Sequence, residues 1–258
     1  MECLLVENKD RIATITLNIP DRRNAFNRQL IAELSETVFR IAVDSTVSVI
    51  ILTGAGKSFS AGADIKKPSP FNTEIIGEHI DNTYKPVLVA MAEMEKPIIC
   101  AVNGAAVGVG SAFVMNCDLI VMAESAFFLE AFSTIGLIPD GGMTWWLSRA
   151  IGYHRAYQLA IEAERISAER CRQLGIANKV VPDAKLMEEA YAWARRLIDK
   201  SPIALGATKR ALRQSMNLSY NEAISMETVL QMVCKRSADY QEGIASFNEK
   251  RKPNFSGR

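Results

Sequence analysis

Apolar positions in the first part of the chain recur with two periods, one typical of strands and one typical of helices. Residues 4–7 and 12–17 are β-rich runs joined by a short polar turn, which predicts an antiparallel hairpin. Between residues 27 and 43 the apolar positions return every three or four residues, which predicts an amphipathic helix. The run VSVIILTG at 47–54 is continuously apolar and ends at glycine, as expected for a strand that is buried on both faces.

The same order of strand and helix repeats further along the chain. A helical pattern at 73–94 precedes the apolar run IICAVNG at 98–104, small residues at 108–112 open the next helix, and CDLIVMAE at 117–124 predicts another buried strand. A short strand is predicted at 178–181, followed by helices at 186–198, 203–216, 221–238 and 241–249. The pattern therefore predicts an α/β fold followed by a helical C-terminal region, with Lys200-Ser201-Pro202 as the internal boundary.

Composition and charge exclude several classes of protein. The chain has 258 residues, of which 48% are hydrophobic and 23% charged, as in an ordinary globular protein. Its 30 basic and 29 acidic side chains give a net charge of +1, so we expect no nucleic-acid partner and no anionic membrane surface as partner. The N-terminal residues do not resemble a secretory signal, and no apolar run is long enough to span a bilayer.

Cysteine usage indicates a reducing compartment. The five cysteines are scattered, and no two of them form a CxxC pair. This pattern favours free thiols over disulfides or a zinc site, so we expect a cytoplasmic protein without a metal centre.

Two of the predicted strands run directly into loops of small residues. VSVIILTG continues into AGKSFSAGADIKK, and IICAVNG continues into AAVGVGSAF. Small residues let a ligand approach the backbone, and unpaired N–H groups at such a loop stabilise negative charge. The second loop lacks the third glycine of a dinucleotide site, and the first lacks the spacing of a phosphate-binding loop, so we expect no nucleotide cofactor.

The stretch TIGLIPDGG at 134–142 contains an acid whose role local chemistry leaves open. Pro-Asp-Gly is a favourable turn sequence, because Pro fixes φ, Asp bonds to its own backbone and Gly accepts a positive φ. On local grounds Asp140 is a turn residue, whereas its place after an apolar run also suits a catalytic acid.

Several motifs in order carry a family resemblance over nearly the whole chain. SFSAGADIKK at 58–67, KPIICAVNGAAVGVGSAF at 96–113, GLIPDGGMTWWL at 136–147 and SADYQEGIASFNEKR at 237–251 resemble the crotonase, or enoyl-CoA hydratase/isomerase, superfamily. The resemblance is strongest to 1,2-epoxyphenylacetyl-CoA isomerase-like members. It implies an α/β fold made of a spiral of ββα units over residues 1–200. A C-terminal helical region over 201–258 is then expected to form a homotrimer, or a hexamer built as a dimer of trimers.

The resemblance also implies the ligand and the residues that hold it. The ligand is an acyl-CoA thioester, with coenzyme A as part of the substrate and no separate cofactor. Its carbonyl oxygen is expected in an oxyanion hole made by the backbone N–H groups of Ala63 and Val109. The second position is usually Gly in the family, so Val109 departs from the pattern and is expected to narrow the acyl pocket. The residues expected to bind CoA are Ala61, Asp64, Ile65, Lys66, Lys67, Phe247 and Lys250.

The acids that the resemblance implies are only partly present. Hydratases of the superfamily activate water with two glutamates, but Ala112 and Phe132 occupy those positions and are expected to line the acyl pocket. Asp140 matches a known catalytic position, and a single carboxylate is enough to move a proton between carbons. Glu130 is a further acid nearby, which we expect to face solvent or another subunit.

The prediction is therefore an acyl-CoA isomerase that acts through an enolate. It either shifts a Δ3 double bond of an enoyl-CoA to Δ2 or isomerises the ring epoxide of 1,2-epoxyphenylacetyl-CoA. Two alternatives stay open. One is an enoyl-CoA hydratase with an atypical acid, and the other is a non-catalytic acyl-CoA binding protein.

Overall fold

The structure, a computed structural model, describes residues 2–65 and 80–258. The strands are β1 Leu4–Lys9, β2 Ile12–Leu17, β3 Val49–Gly54, β4 Ser58–Ser60, β5 Ile98–Val102, β6 Ala105–Val107, β7 Leu119–Ala123, β8 Phe127–Leu129, β9 Ile166–Ser167 and β10 Lys179–Val181. The α-helices are α1 Arg28–Val43, α2 Lys85–Glu93, α3 Val109–Asn116, α4 Met143–Ile151, α5 Tyr153–Glu162, α6 Ala168–Leu174, α7 Leu186–Ile198, α8 Pro202–Ser215, α9 Tyr220–Arg236 and α10 Ala238–Glu249.

The larger sheet has six strands in the order β1-β2-β3-β5-β7-β10. Strands β1 and β2 form the predicted antiparallel hairpin, and the other neighbours in this sheet run parallel. Every residue of β3 and β5 is buried, which explains why both strands read as uninterrupted apolar runs in the sequence.

A second sheet of four short strands has the order β4-β6-β8-β9. Each of β4, β6 and β8 follows a strand of the larger sheet after only a few residues, and the three run parallel to one another. This repeat of paired strands, with α2 and α3 following the first two pairs, confirms the predicted spiral of ββα units. The short strands of this second sheet were not predicted, because they are too short to display a period of two.

Most predicted helices are confirmed. Helix α1 begins after Asn27, whose side chain accepts a hydrogen bond from the Leu30 N–H at 2.8 Å. The helix predicted at 73–94 is shorter in its described part, because α2 covers only Lys85–Glu93 and follows a π-helical turn at Ile80–Tyr84. Residues 73–79 lie outside the described residues.

The helices of the C-terminal region leave apolar side chains exposed. On α9 these include Val229, Met232 and Val233. Helix α8 is joined to the larger sheet by a buried ion cluster, in which Lys209 and Arg213 each lie 2.8 Å from a carboxylate oxygen of Asp118. Within residues 2–65 and 80–258, no helix combines the length and the apolar character that crossing a membrane requires.

Candidate active site

The two glycine-rich loops meet backbone to backbone. Gly62, in the loop after β4, has φ 87°, and Gly108, after β6, has φ 54°. A Cβ added to Gly62 would lie 2.8 Å from the Val107 carbonyl oxygen and 3.8 Å from the Gly108 Cα. Only glycine fits this close approach of the two backbones. The parallel pairing of β4 with β6 brings both loops to one place.

The N–H groups of Ala63 and Val109 are both available at this place. Ala63 forms a parallel bridge with Phe26 that uses the Gly62 carbonyl (2.7 Å) and the Asp64 N–H (3.0 Å), and not the N–H of Ala63 itself. Val109 is the first residue of α3, a position without an intrahelical acceptor. Neither N–H donates a hydrogen bond to any residue that the structure describes. The arrangement can therefore stabilise negative charge at the start of α3.

Apolar side chains occupy the two positions where hydratases carry glutamate. Ala112 and Phe132 are both buried. The Phe132 ring lies against the second loop, since two of its atoms would be 3.6 and 3.8 Å from a Cβ on Gly108. Because neither side chain can hold a proton, any proton transfer at this place needs another acid.

Asp140 lies in a turn that packs against the second glycine-rich loop and the start of α3. Its carbonyl accepts a hydrogen bond from the Met143 N–H at 3.1 Å, while Gly141 and Gly142 adopt φ of 61° and 84°. Carboxylate oxygen Oδ1 is buried and has no hydrogen-bond partner in the described part of the chain. Burial raises the pKa of Asp140 to about 6. The side chain is therefore mostly ionised at neutral pH and suited to act as a base.

Gly141 sets how closely the turn approaches α3. A Cβ at this position would lie 2.6 Å from the Ala112 Cβ, 3.6 Å from Val109 Cγ2 and 3.5 Å from Leu88 Cδ1. The turn that carries Asp140 thus touches the helix whose first N–H belongs to Val109. Structure and local turn chemistry agree here, because Asp140 is both a turn residue and an acid beside the two glycine-rich loops.

We expect Gly141→Ala to lower the free energy of unfolding by about 1–3 kcal/mol more than Gly136→Ala, because it overpacks the contact with Ala112. Gly136 is a matched control: it has φ 74°, and a Cβ there would meet no atom within 4 Å. Both variants therefore strain the backbone, and only one of them also collides. Urea unfolding measures the difference, and equal losses of stability would contradict this tight contact.

Tyr84 is a buried residue of the site that the sequence did not reveal. Burial and the negative charge of Asp140 raise the pKa of Tyr84 to about 12. Its ring contacts Phe26 edge to face, with 6.2 Å between ring centroids, and Phe26 stacks on Phe113 of α3. Tyr84 is the last residue of a π-helical turn, and nothing in the local sequence marks such a turn.

A cavity of about 760 Å³ extends from the Asp140 turn to helix α8. Gly141 and Gly142 form one end of it, and α2 and α4 form its sides. Its lining includes Tyr84, Leu88, Trp145, Trp146, Arg210 and Arg213. This volume and the aromatic walls suit a bulky apolar group.

The prediction that Glu130 faces solvent or another subunit is wrong. Its residue surface is only 1% exposed, and neither carboxylate oxygen has a hydrogen-bond partner among the residues described. The nearby Ser111 hydroxyl is within hydrogen-bond distance of the Ala106 and Leu129 carbonyls, at 3.1 and 3.4 Å. Burial raises the pKa of Glu130 to about 8, Ser111 lowers it in part, and the charge of Asp140 raises it further.

Ala61, Asp64 and Ile65, three of the residues expected to bind CoA, lie in the first loop. The Ala61 N–H donates a hydrogen bond to the Arg23 carbonyl at 2.8 Å, and the Asp64 carboxylate accepts one from the Arg22 guanidinium at 3.3 Å. Ile65 is exposed. Lys66 and Lys67, also predicted to contact CoA, lie outside the described residues.

The other two predicted CoA contacts lie at the end of the last helix. Phe247 is 82% exposed, and Lys250 forms the left-handed cap of α10 with φ 55°. An aromatic ring this exposed is free to contact a ligand or another subunit.

Comparisons with known proteins agree with this geometry. Residues 7–258 match the Enoyl-CoA hydratase/isomerase family. The chain is 37% identical to 1,2-epoxyphenylacetyl-CoA isomerase of Escherichia coli K12 and 33% identical to 2,3-dehydroadipyl-CoA hydratase of the same organism, with 100% of each chain covered in both cases. Among solved structures, enoyl-CoA hydratase from Bacillus anthracis superposes with a TM-score of 0.95 at 30% identity, covering 99% of this chain and 100% of that one. The chain therefore belongs to the enoyl-CoA hydratase/isomerase family, that is, to the crotonase superfamily.

Proposed function

We propose that this protein is an acyl-CoA isomerase that moves a proton through an oxyanion-stabilised enolate. Its reaction is either a Δ3-to-Δ2 shift of an enoyl-CoA or the isomerisation of ring 1,2-epoxyphenylacetyl-CoA. The observation that carries the proposal is the position of Asp140, an ionisable acid in the turn that packs beside the paired loops. Asp140 packs through Gly141 on Ala112 and Val109, while the two hydratase positions are apolar.

The proposed mechanism begins at the thioester carbonyl. Its oxygen accepts hydrogen bonds from the N–H groups of Ala63 and Val109, and the start of α3 adds its positive dipole end. Each such donor contributes about 3 kcal/mol once the oxygen becomes an enolate. These donors are fixed before the reaction, so they need no reorganisation as charge develops.

Asp140 then moves the proton. In the double-bond shift, its carboxylate takes a proton from the carbon next to the carbonyl, and the C–H electron pair forms a dienolate whose oxygen carries the charge. The same carboxyl group returns the proton to the far end of the dienolate, and the electrons of the enolate re-form the carbonyl. No water is consumed, which fits the apolar surroundings that Ala112 and Phe132 provide.

The relatives support the reaction class more firmly than the reaction itself. One relative is named an isomerase and others are named hydratases, so similarity alone does not select between them. The choice of isomerase rests on the residues of this chain, because Ala112 and Phe132 cannot activate water.

We infer that the active form is a homotrimer or a dimer of trimers in the cytoplasm. The exposed apolar side chains of α9, together with Phe247 at 82% exposure, supply a surface that a second subunit can cover. Phe247 and Lys250 would then contact the CoA of a neighbouring subunit. All five cysteines are free thiols, in keeping with a reducing compartment.

The test is a product assay on a small panel of CoA thioesters: a 3-enoyl-CoA, a 2-enoyl-CoA and 1,2-epoxyphenylacetyl-CoA. We expect a shifted double bond or a ring-expanded product, together with deuterium exchange at the acyl carbons in D₂O. Formation of a 3-hydroxyacyl-CoA would favour a hydratase with an atypical acid. Binding without exchange would favour a non-catalytic acyl-CoA binding protein.

A further inference from the structure

Glu130 lies one residue away from the contact that supports the second loop. It follows β8 directly, and the carbonyl of the last β8 residue, Leu129, accepts a hydrogen bond from the Gly108 N–H at 2.9 Å. The Glu130 residue is 1% exposed, and both carboxylate oxygens are buried without a hydrogen-bond partner in the described ranges. An acid in such a place needs an explanation, because buried polar groups are normally paired.

A small cavity lies against Glu130. It has a volume of about 130 Å³ and is lined by Glu130, by Pro139 of the catalytic turn and by side chains of α4 and α5. Pro139 immediately precedes Asp140, so Glu130 lies behind the turn that carries the base. The larger cavity of about 760 Å³ is a separate one, since its lining includes Gly141, Gly142 and the two tryptophans of α4 but not Glu130.

The groups that face Glu130 supply no compensating positive charge. The lining of the cavity contains no Lys, Arg or His among the residues described. The polar residues of its lining are Thr144 and Ser148 on α4 and Tyr153 and Tyr157 on α5, and the Ser148 hydroxyl donates to the Thr144 carbonyl at 2.8 Å. From α3, Ser111 adds a hydroxyl, and the turn adds the like charge of Asp140.

Electrostatics then determines which of the two acids ionises. A carboxylate without a cation or N–H donors is strongly disfavoured in apolar surroundings, and two neighbouring carboxylates disfavour each other's ionisation. Asp140 is less deeply buried and loses its proton first, with a pKa of about 6, whereas the pKa of Glu130 is about 8. Paired acids with separated pKa values are a common way of dividing roles between two carboxyl groups.

We propose that Glu130 is a positioning residue that remains protonated while Asp140 is ionised, keeping a second negative charge away from the base and the enolate. This inference rests on the proposed isomerase function. Ionisation of Glu130 places a charge behind the catalytic turn, opposes formation of the enolate and draws water into the small cavity. The enzyme should therefore lose activity at alkaline pH through a group that never contacts the substrate.

The first test compares pH profiles of deuterium exchange for the wild type and Glu130→Gln. The wild type should show an acid limb near the Asp140 pKa of about 6 and an alkaline limb near the Glu130 pKa of about 8. One pH unit above the alkaline pKa, its rate should be about tenfold below its maximum. Glu130→Gln should keep the acid limb and lose the alkaline limb, because its amide does not titrate.

A control separates charge from packing. Thr144→Val changes the wall of the same cavity without removing a titratable group, and it should keep both limbs. The pKa of Tyr84 is about 12, so its ionisation lies well above the alkaline limb. An alkaline limb near pH 8 that persists in Glu130→Gln would overturn the inference.

A second measurement does not depend on turnover. The infrared difference between the wild type and Glu130→Gln at pH 7 should contain the C=O band of a protonated carboxyl group, and its absence would overturn the inference. If Glu130→Gln does not fold, NMR of wild-type protein with ¹³C-labelled glutamate replaces the comparison with the variant. One glutamate carboxyl should then titrate near pH 8, at the same pH as the alkaline limb of the exchange rate. A wild type with a protonated Glu130 and no turnover would reject the proposed function, and with it the positioning role of Glu130.

Discussion

Asp140→Asn should reduce isomerisation by about 10²–10⁴-fold, the usual contribution of a group that transfers a proton. Asparagine has nearly the same shape and fits the same turn, but it cannot take a proton from carbon. The loss should appear in kcat/KM for the substrate that the panel identifies and in deuterium exchange at the acyl carbons. Full turnover by Asp140→Asn would reject the mechanism.

The stability of Asp140→Asn provides a control, because the substitution should not lower the melting temperature although it lowers the activity. The folded-state pKa of Asp140 is about 6, above its ordinary value of 3.8. A raised pKa in the folded state means that the protonated acid favours folding at low pH, and that this stability is lost as the pH rises through about 6. At pH 7 the wild type therefore holds an unfavourable buried charge that asparagine removes. We expect Asp140→Asn to melt no lower than the wild type at pH 7, so unfolding would not explain its inactivity.

The main features of the site could be predicted from sequence because they depend on local backbone chemistry. The continuous apolar runs of β3 and β5 predicted the buried strands, and each run ends at a loop of small residues. Whether Asp140 was a turn residue or an acid of the site could not be decided locally. Its place beside the loops depends on the close approach of its neighbour Gly141 to Ala112, a residue of a different ββα unit.

The burial of Glu130 has a signal in the sequence that its charge obscures. Strand β8 alternates in burial, with Phe128 buried and its neighbours Phe127 and Leu129 partly exposed. Continuing this period of two puts Glu130 on the buried face, so a signal was present. The strand is only three residues long, and the presence of an acid suggested a solvated position. Tyr84 offers no comparable signal, since its surroundings, the Phe26 ring and the charge of Asp140, come from distant parts of the chain.

The burial of the charged residues of α8 is also hard to predict from the sequence, because it depends on a residue far away in the chain. Charged side chains on a helix are usually solvated, yet Lys209 and Arg213 are only 7% and 14% exposed in their side chains. Lys209 also donates to the Met91 carbonyl at 2.9 Å, and Arg213 donates to the Asn116 carbonyl at 2.7 Å. Their burial depends on Asp118, about 90 residues earlier in the chain, and local periodicity cannot reveal a pairing over such a distance.

The second large effect is therefore expected at Asp118. Asp118→Ala should lower the free energy of unfolding by about 3–5 kcal/mol, because it leaves two buried cations without their anion. The variant also removes the acceptor of the Ile98 N–H, which donates to Asp118 Oδ2 at 2.8 Å. Urea unfolding measures the loss. Glu169→Ala is the matched control, since its ion pair with Arg172 is 51% exposed on both sides and should be worth less than about 1 kcal/mol.

The pH dependence of this defect identifies its cause. Burial lowers the pKa of Lys209, while Asp118 raises it, so removing Asp118 should lower that pKa further. Raising the pH should then neutralise Lys209 in the folded variant and recover part of the lost stability, whereas a defect caused by packing alone would not respond. A loss no larger than that of Glu169→Ala would contradict the role of the cluster. Because Arg213 also lines the cavity of about 760 Å³ beside the Asp140 turn, a confirmed loss would mean that the ion cluster supports a wall of that cavity.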